Sequence, residues 1–237
     1  MKKILFLSIV FLGACVLWGN QSTLEKLIKD NEGIDVKVVE LVPTGIKGLQ
    51  IVALEQSNGL RVPVLASDDG KTIIGVSELL ISDDPHFKDA LQKVYASTQK
   101  HNKTITDQKV LKIFKTYNKS NVLSLAGKNS AKTTYMVLDP NCPYCHQEVQ
   151  KLDMILQNSN VEILVVGALG MQSATKAASF YAALGSKKSQ KDKIALLKSI
   201  FEKSYQPDEK IDISKIVEIG RELAQAGVNG VPYIIEK

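Results

Sequence analysis

The hydrophobic and polar positions in the first third of the chain predict one short helix followed by a small sheet. Apolar residues recur at helical spacing over residues 21–32, which begin with the capping-box spacing Ser22-x-x-Glu25 and end at Gly33. Beyond Gly33, four strand-like stretches are separated by turn signals containing Gly, Asn and Asp. These stretches cover residues 36–42, 49–54, 60–66 and 72–76. The pattern is typical of a small α+β module.

Helical periodicity then runs from Pro85 to about Asn118, with a polar interruption at residues 100–103. We interpret this stretch as a helical connector that is broken in two at the interruption. Beyond it, strand-like and helical stretches alternate, which indicates an α/β domain. The predicted strands are residues 122–125, 133–138, 161–169 and 233–235, and the predicted helices are residues 142–156, 173–184, 190–203 and 213–226.

Residues 1–19 read as an export signal. A lysine pair precedes an apolar run of about nine residues, which is too short for a hydrocarbon core that needs roughly 20. The stretch from Leu12 to Cys15 also resembles a bacterial lipobox, in which Cys15 would carry the lipid. The alternative is cleavage nearer Gly19, so lipid attachment at Cys15 stays open.

Composition and charge exclude some classes of function. With 44% hydrophobic and 23% charged residues, the chain is an ordinary globular protein. The net charge of +5 includes the two leader lysines, and no dense basic block is interleaved with aromatic residues. Nucleic acid is therefore not an expected partner. The N-terminal module buries only a modest fraction of its surface, and we interpret it as a dimerisation module; a self-sufficient small domain is the alternative.

Two of the three cysteines, Cys142 and Cys145, form a C-x-x-C pair, and Cys15 is lost or lipidated if the leader is processed. A lone vicinal pair closes too short a loop to stabilise a fold, so we expect it to serve chemistry. A strand predicted before the pair and a helix predicted after it form a redox arrangement. A helix start favours a thiolate, and Pro143 suits the first helical turn. We predict Cys142 as the attacking residue at an exposed helix tip and Cys145 as the buried resolving residue.

The cysteine pair has three other interpretations. Zinc needs four ligands, and the only histidines are His86, His101 and His146, so no metal or other cofactor is expected. The spacing Cys142-x-x-Cys145-His146 also matches a c-type haem attachment site. That interpretation and an inert structural disulfide stay open as less favoured alternatives.

The segment Thr134–His146 (TYMVLDPNCPYCH) and the segment Gly227–Tyr233 (GVNGVPY) resemble the thioredoxin-fold domain of the periplasmic DsbC/DsbG thiol-disulfide isomerases. The order of the elements is also similar. The resemblance implies an α/β fold with an α+β N-terminal module. Its domains are a signal peptide at residues 1–19, a dimerisation module at 20–82, a helical linker at 83–119 and a thioredoxin-like catalytic domain at 120–237, with a helical insert at about 172–210.

The resemblance also implies a homodimer that holds misfolded exported proteins, and a cis peptide bond before Pro232. The backbone of Val231 would then pair with an extended client segment. Pro143 and Tyr144 form the active-site dipeptide. Asp139 is interpreted as a turn residue, with proton handling as the alternative, and His146 either modulates the thiols or has no role in the chemistry.

The predicted function is a periplasmic thiol-disulfide isomerase or reductase that a DsbD-like membrane reductase keeps reduced. Val231 departs from the family, because DsbC/DsbG-type proteins usually carry Thr there and DsbA-type oxidases carry Val. A dimeric DsbA-like oxidase with a DsbB-like partner is therefore the first alternative, followed by a disulfide-independent chaperone or a c-type haem protein. The chain also stops shortly after Pro232, so the thioredoxin-like domain is expected to lack its last strand and helix.

Overall fold

The structure is a computed structural model that describes residues 14–76, 81–118, 120–128 and 131–237, with side chains from residue 20 onward. Most of the predicted export signal, including the side chain of Cys15, therefore lies outside the described residues. The chain divides into two compact units, residues 1–104 and 105–237. None of the described helices has the length and apolar character of a bilayer-spanning segment.

The first unit contains the predicted helix and a four-stranded antiparallel meander. Its sheet has the order β1-β2-β3-β4, and neighbours in the sequence pair with each other. The elements are α1 (Ala14–Glu32), β1 (Val36–Pro43), β2 (Leu49–Gln56), β3 (Arg61–Ser67), β4 (Ile73–Gly75) and the beginning of α2 (Pro85–Tyr117).

A helix covers each face of this sheet, and the side chains of β2 point alternately to the two faces. Val52 packs with Leu24 of α1 on one face. Ile51, its neighbour in the sequence, packs with Phe87 and Val94 of α2 on the other face. Because successive residues of a strand point to opposite faces, the central strand is apolar at consecutive positions.

Two predictions for this unit were wrong. Helix α1 begins at Ala14, so Ser22 lies inside it and forms no N-terminal cap. Glu25 instead accepts a hydrogen bond from the backbone N–H of Val38 at 2.8 Å, which ties the helix to β1. Helix α2 is also continuous through residues 100–103. The polar residues of this stretch instead include a contact with β3, since the side chain of Asn102 pairs with both the backbone N–H and the backbone carbonyl of Arg61, at 2.7 and 2.8 Å.

The second unit is an α/β domain around a sheet of order β5-β7-β6-β8. Strands β6 and β7 are parallel, whereas β5 and β8 pair antiparallel with β7 and β6. Its elements after α2 are β5 (Leu123–Leu125), β6 (Thr133–Leu138), α3 (Pro143–Gln150), α4 (Leu152–Ile155), β7 (Asn160–Val165), α5 (Met171–Leu184), α6 (Gln190–Ile200), α7 (Ser214–Ala226) and β8 (Tyr233–Glu236).

Alternate residues of the two central strands again face two cores. Met136 and Leu138 contribute to a core that contains Phe180 of α5. Val137 contributes to the opposite core, which contains Leu223 of α7. Strand β7 occupies an interior position of this sheet, and β8 is an edge strand in the part of the chain that the structure describes.

Some element boundaries differ from the predictions. Strand β7 ends at Val165 and not at Leu169, since the chain then passes so close to α5 that a Cβ on Gly167 would lie 2.5 Å from the Cα atom of Ala174. The helix predicted at residues 142–156 is divided at Lys151 into α3 and α4. Helices α5 and α6 lie within the stretch predicted as a helical insert.

Candidate active site

Cys142 occupies the N-cap position of α3, in the turn that follows β6. Its backbone is extended, with φ −84° and ψ 119°, and Pro143 takes the first helical position. The carbonyl of Cys142 accepts the first helical hydrogen bond, from His146 N–H at 3.0 Å. Its side chain makes no capping hydrogen bond. The sulfur is therefore left for other contacts beside the unpaired N–H groups of the first turn.

The two thiols, both free, lie in different surroundings. Cys145 is completely buried and accepts a hydrogen bond from the backbone N–H of Asp139 at 3.4 Å. Burial raises the pKa of the Cys145 thiol far above its ordinary range, which the Asp139 N–H opposes and the neighbouring Cys142 reinforces. Cys145 is thus held as a neutral thiol, and its predicted burial is confirmed.

The prediction of an exposed Cys142 was wrong, because the side chain is only 5% exposed. Its thiol donates to the backbone carbonyl of Val231 at 3.4 Å. Val231 belongs to the loop between α7 and β8, which approaches the sulfur from across the site. Tyr144, in contrast, is 66% exposed.

The register of the sheet brings this loop to the cysteines. Helix α7 ends at Ala226, and the next residue, Gly227, adopts φ 102° and caps the helix with hydrogen bonds to the carbonyls of Ala224 and Leu223. The Val231–Pro232 peptide bond is cis, as the resemblance implies. Tyr233 then pairs with Val137 of β6. Strand β6 leads into the cysteine turn, so the sheet holds the two segments side by side.

Asp139 is buried and its carboxylate accepts three hydrogen bonds. The donors are the backbone N–H groups of Asn141 and Leu169 and the hydroxyl of Ser173, each at 2.8 Å. These bonds connect the end of β6 to the segment that begins α5. This geometry favours the interpretation of Asp139 as a turn residue.

A groove of about 650 Å³ adjoins Cys142 on one side of the site. His146 lines it, and its ring stacks on Phe201 with ring centroids 6.0 Å apart. A second, mainly apolar groove of about 630 Å³ adjoins Val231. The first groove is further lined by Gln172, Lys176 and Lys203. The sequence carries no local motif for these residues, since they come from α5 and from the turn after α6, far along the chain.

No set of three His, Cys, Asp or Glu side chains among the described residues is placed to hold a metal ion. Of the three histidines weighed as zinc ligands, only His146 lies in the unit that holds the cysteines. The structure thus brings Cys142, Cys145, Val231 and Pro232 together, with Asp139 and His146 around them.

A C-x-x-C pair at the start of a helix, beside a cis-proline loop and at the end of a central strand, defines a thioredoxin-like thiol-disulfide site. Residues 24–111 match the family described as the N-terminal domain of the disulfide isomerase DsbG. This N-terminal part of the chain is therefore similar to the DsbG family, and the geometry of the cysteine pair is that of a thiol-disulfide oxidoreductase.

Several solved structures are similar to this chain. Helicobacter pylori DsbG is 28% identical, with 92% of this chain and 100% of that chain covered and a TM-score of 0.48. A Proteus mirabilis ScsC variant with a linker deletion is 17% identical, with 68% and 88% covered and a TM-score of 0.44. Wolbachia pipientis α-DsbA2 is 14% identical, with 57% and 86% covered and a TM-score of 0.41. A comparison with curated proteins gives no significant match.

Proposed function

We propose that this protein isomerises or reduces incorrect disulfides in exported proteins, with Cys142 as the attacking residue and Cys145 as the resolving residue. One observation carries the proposal: the two sulfurs are held in unequal surroundings. Cys142 sits at a helix start beside a groove, whereas Cys145 is fully buried with a raised thiol pKa. In such a pair, one sulfur attacks the client disulfide and the other resolves the mixed disulfide.

The exchange proceeds in two steps. The Cys142 thiolate attacks one sulfur of a client disulfide, so that a Cys142–client bond forms, the client bond breaks and the second client sulfur leaves as a thiolate. That thiolate can attack another client disulfide, and the client thiolate released there can attack the client sulfur of the mixed disulfide. The Cys142–client bond then breaks, Cys142 leaves as a thiolate, and the client is rearranged without net oxidation. Otherwise Cys145 loses its proton to solvent and attacks the Cys142 sulfur. The mixed disulfide then breaks, the client leaves with both electrons, and the protein keeps a Cys142–Cys145 disulfide.

The cis-proline loop is proposed to hold the client during this exchange. The carbonyl of Val231 already lies 3.4 Å from the Cys142 sulfur, so a client bound to that sulfur would lie along this backbone. Peptides commonly bind by adding an extended segment to exposed backbone groups of this kind. Pro143 and the exposed Tyr144 lie on the adjoining surface and would contact the same client.

The proposal places the protein in the periplasm as a homodimer, with a DsbD-like membrane reductase as its electron donor. The match of residues 24–111 to the DsbG N-terminal family supports a DsbG-like dimerisation module. Sedimentation of the mature protein at micromolar concentration tests the dimer, and a strict monomer would contradict it. Lipid attachment at Cys15 stays a prediction that mass spectrometry of the mature N-terminus can check.

The second candidate is a DsbA-like dimeric oxidase, which the Val231 side chain favours. The same two steps would then run in reverse, and a DsbB-like partner would keep the pair oxidised. Reduction potentials of such folds range from about −120 to about −270 mV, and this range separates donors of disulfides from acceptors.

Two measurements decide between these functions. The redox state of the pair is trapped in cells with a thiol-alkylating reagent, and the purified protein is incubated with a scrambled-disulfide client. An isomerase has a reduced pair and restores client activity, and Cys142→Ala removes that restoration. A fully oxidised pair without unscrambling would defeat the isomerase proposal. Suppression of client aggregation that survives Cys142→Ala would instead indicate a disulfide-independent chaperone.

A further inference from the structure

A buried lysine lines the groove that adjoins the reactive cysteine and takes no part in the exchange described above. Lys176, on α5, is only 5% exposed. Its ammonium donates one long hydrogen bond, at 3.5 Å, to the backbone carbonyl of Glu202. Among the described residues, no carboxylate forms an ion pair with Lys176. By contrast, the lysine side chains are at least 41% exposed in the ion pairs formed by Lys26, Lys29, Lys71, Lys151, Lys198 and Lys215.

Burial of a charge without a partner is unfavourable, so this arrangement suits a ligand that supplies the missing charge. An ammonium group has three N–H donors, and a single long bond to a carbonyl uses one of them. An incoming carboxylate would satisfy the others with charge-assisted hydrogen bonds, which are stronger than neutral ones.

The position of Lys176 connects this unmet charge to the thiol chemistry. Lys176 and Gln172 are one turn apart on α5, so they share a helix face, and both line the groove that adjoins Cys142. Phe201 supplies an apolar wall of the same groove, and Lys203 supplies a second basic side chain at its rim. A group attached to a sulfur that is bonded to Cys142 would therefore have this groove within reach.

We propose that this groove binds a carboxylate carried by the thiol or disulfide partner of Cys142, through Lys176 with help from Lys203. The carboxylate comes either from an acidic residue next to the reactive cysteine of a client or from a small acidic thiol such as glutathione. It stays ionised and takes no part in the bond changes, so it sets specificity and not mechanism. The proposal rests on the proposed function, since it concerns the choice of exchange partner.

One charge in the groove opposes this preference. Glu202 lines the groove and is exposed to solvent. Because Glu202 repels an acidic partner and Lys203 attracts it, neutralising these two rim residues should change the preference in opposite directions. A general effect of net charge would have the same two signs, so the rim variants are compared with a substitution that makes the same change in charge away from the groove.

The test measures the rate at which the reduced full-chain protein reacts with matched acidic and neutral disulfides at low ionic strength. The first arm compares two peptide disulfides that carry Glu or Gln next to the cysteine. The second arm compares oxidised glutathione with its neutral ethyl ester. We expect the acidic partner to react about tenfold faster in at least one arm, the effect of roughly one charge-assisted hydrogen bond. The arm that shows the preference identifies the source of the carboxylate.

Variants connect the preference to the groove. Lys176→Gln should remove most of the preference, Lys176→Arg should keep most of it, Lys203→Gln should reduce it and Glu202→Gln should increase it. Lys188→Gln, on an exposed loop away from the groove, makes the same change in net charge and should leave the preference intact. The rim variants decide the outcome even if Lys176→Gln does not fold.

The outcomes separate this proposal from the proposed function. Equal rates with acidic and neutral partners in both arms, while exchange itself proceeds, would overturn the carboxylate site alone. A preference that survives Lys176→Gln unchanged would overturn it as well. Failure of the wild-type protein to react with any disulfide would overturn the proposed function, and the carboxylate site with it.

Discussion

The two ends of the C-x-x-C tetrapeptide lie one helical turn apart and are both buried, but their sulfurs make different contacts. The Cys142 end caps a helix, borders a groove and contacts a backbone carbonyl of the cis-proline loop. The Cys145 end is enclosed in an apolar core with Leu138 and Phe180, and its sulfur accepts a backbone N–H. The spacing in the sequence therefore identifies the cysteine pair, whereas the tertiary contacts of the fold give each cysteine its own role.

Alanine substitutions at the two cysteines should have the largest effects on disulfide exchange, and the two effects should differ. Cys142→Ala should abolish exchange with client disulfides, because no other described thiol borders the groove. Cys145→Ala should still attack but accumulate mixed disulfides with clients, since the resolving sulfur is gone. Quenched-flow alkylation followed by non-reducing electrophoresis measures both. Equal loss in the two variants without trapped adducts would contradict the assigned roles.

The Asp139 carboxylate should matter for the integrity of both ends, because it holds the turn between β6 and α3. Asp139→Asn replaces one acceptor oxygen with a donor that faces N–H or O–H groups. We expect a loss of about 2–4 kcal/mol in the free energy of unfolding, measured in urea. The matched control is Asp153→Asn, which removes an exposed ion pair with Lys198 and should cost less than about 1 kcal/mol. Similar losses in the two variants would show that the three hydrogen bonds contribute little.

These residues also show where prediction from the sequence succeeds and where it stops. The strand, turn and helix around Cys142 were predictable because their signals are local: an apolar run, a Pro and a helical period. The contacts of three polar side chains were not predictable from the sequence, because their partners lie between 13 and 41 residues away. These side chains belong to Glu25, Asn102 and Lys176. A polar side chain shows in a sequence that it needs a partner, but the fold determines which one it finds.

The raised pKa of the Cys145 thiol should make the stability of the reduced protein fall at alkaline pH. A thiol pKa that is higher in the folded state contributes stability that is fully present below the unfolded pKa, about 8.5, and is lost as the pH rises above it. We expect the contribution to decrease by roughly 1 kcal/mol per pH unit there. The free energy of unfolding in urea is measured for reduced Cys142→Ala and for the Cys142→Ala/Cys145→Ala double variant from about pH 7.5 to about pH 10.5. Because both variants have the same tyrosines, the effect of tyrosine ionisation cancels in the difference. Parallel curves would mean that the Cys145 environment does not disfavour the thiolate.

His146 should have the smallest effect on the difference between the two ends, although it is next to Cys145 in the sequence. Its ring stacks on Phe201. The hydrogen bond described for the ring joins its Nε2 to the side chain of Gln150, at 3.4 Å, and does not involve either cysteine sulfur.

We therefore expect His146→Gln to change the alkylation rate of Cys142 by less than about threefold, with the same dependence on pH between about pH 5 and about pH 8. Phe201→Leu, which removes the stacking but keeps the imidazole, is the matched control. If His146→Gln instead removes a step from the pH profile that Phe201→Leu retains, the imidazole charge acts on the attacking thiol, and the asymmetry of the pair depends on His146 as well as on burial.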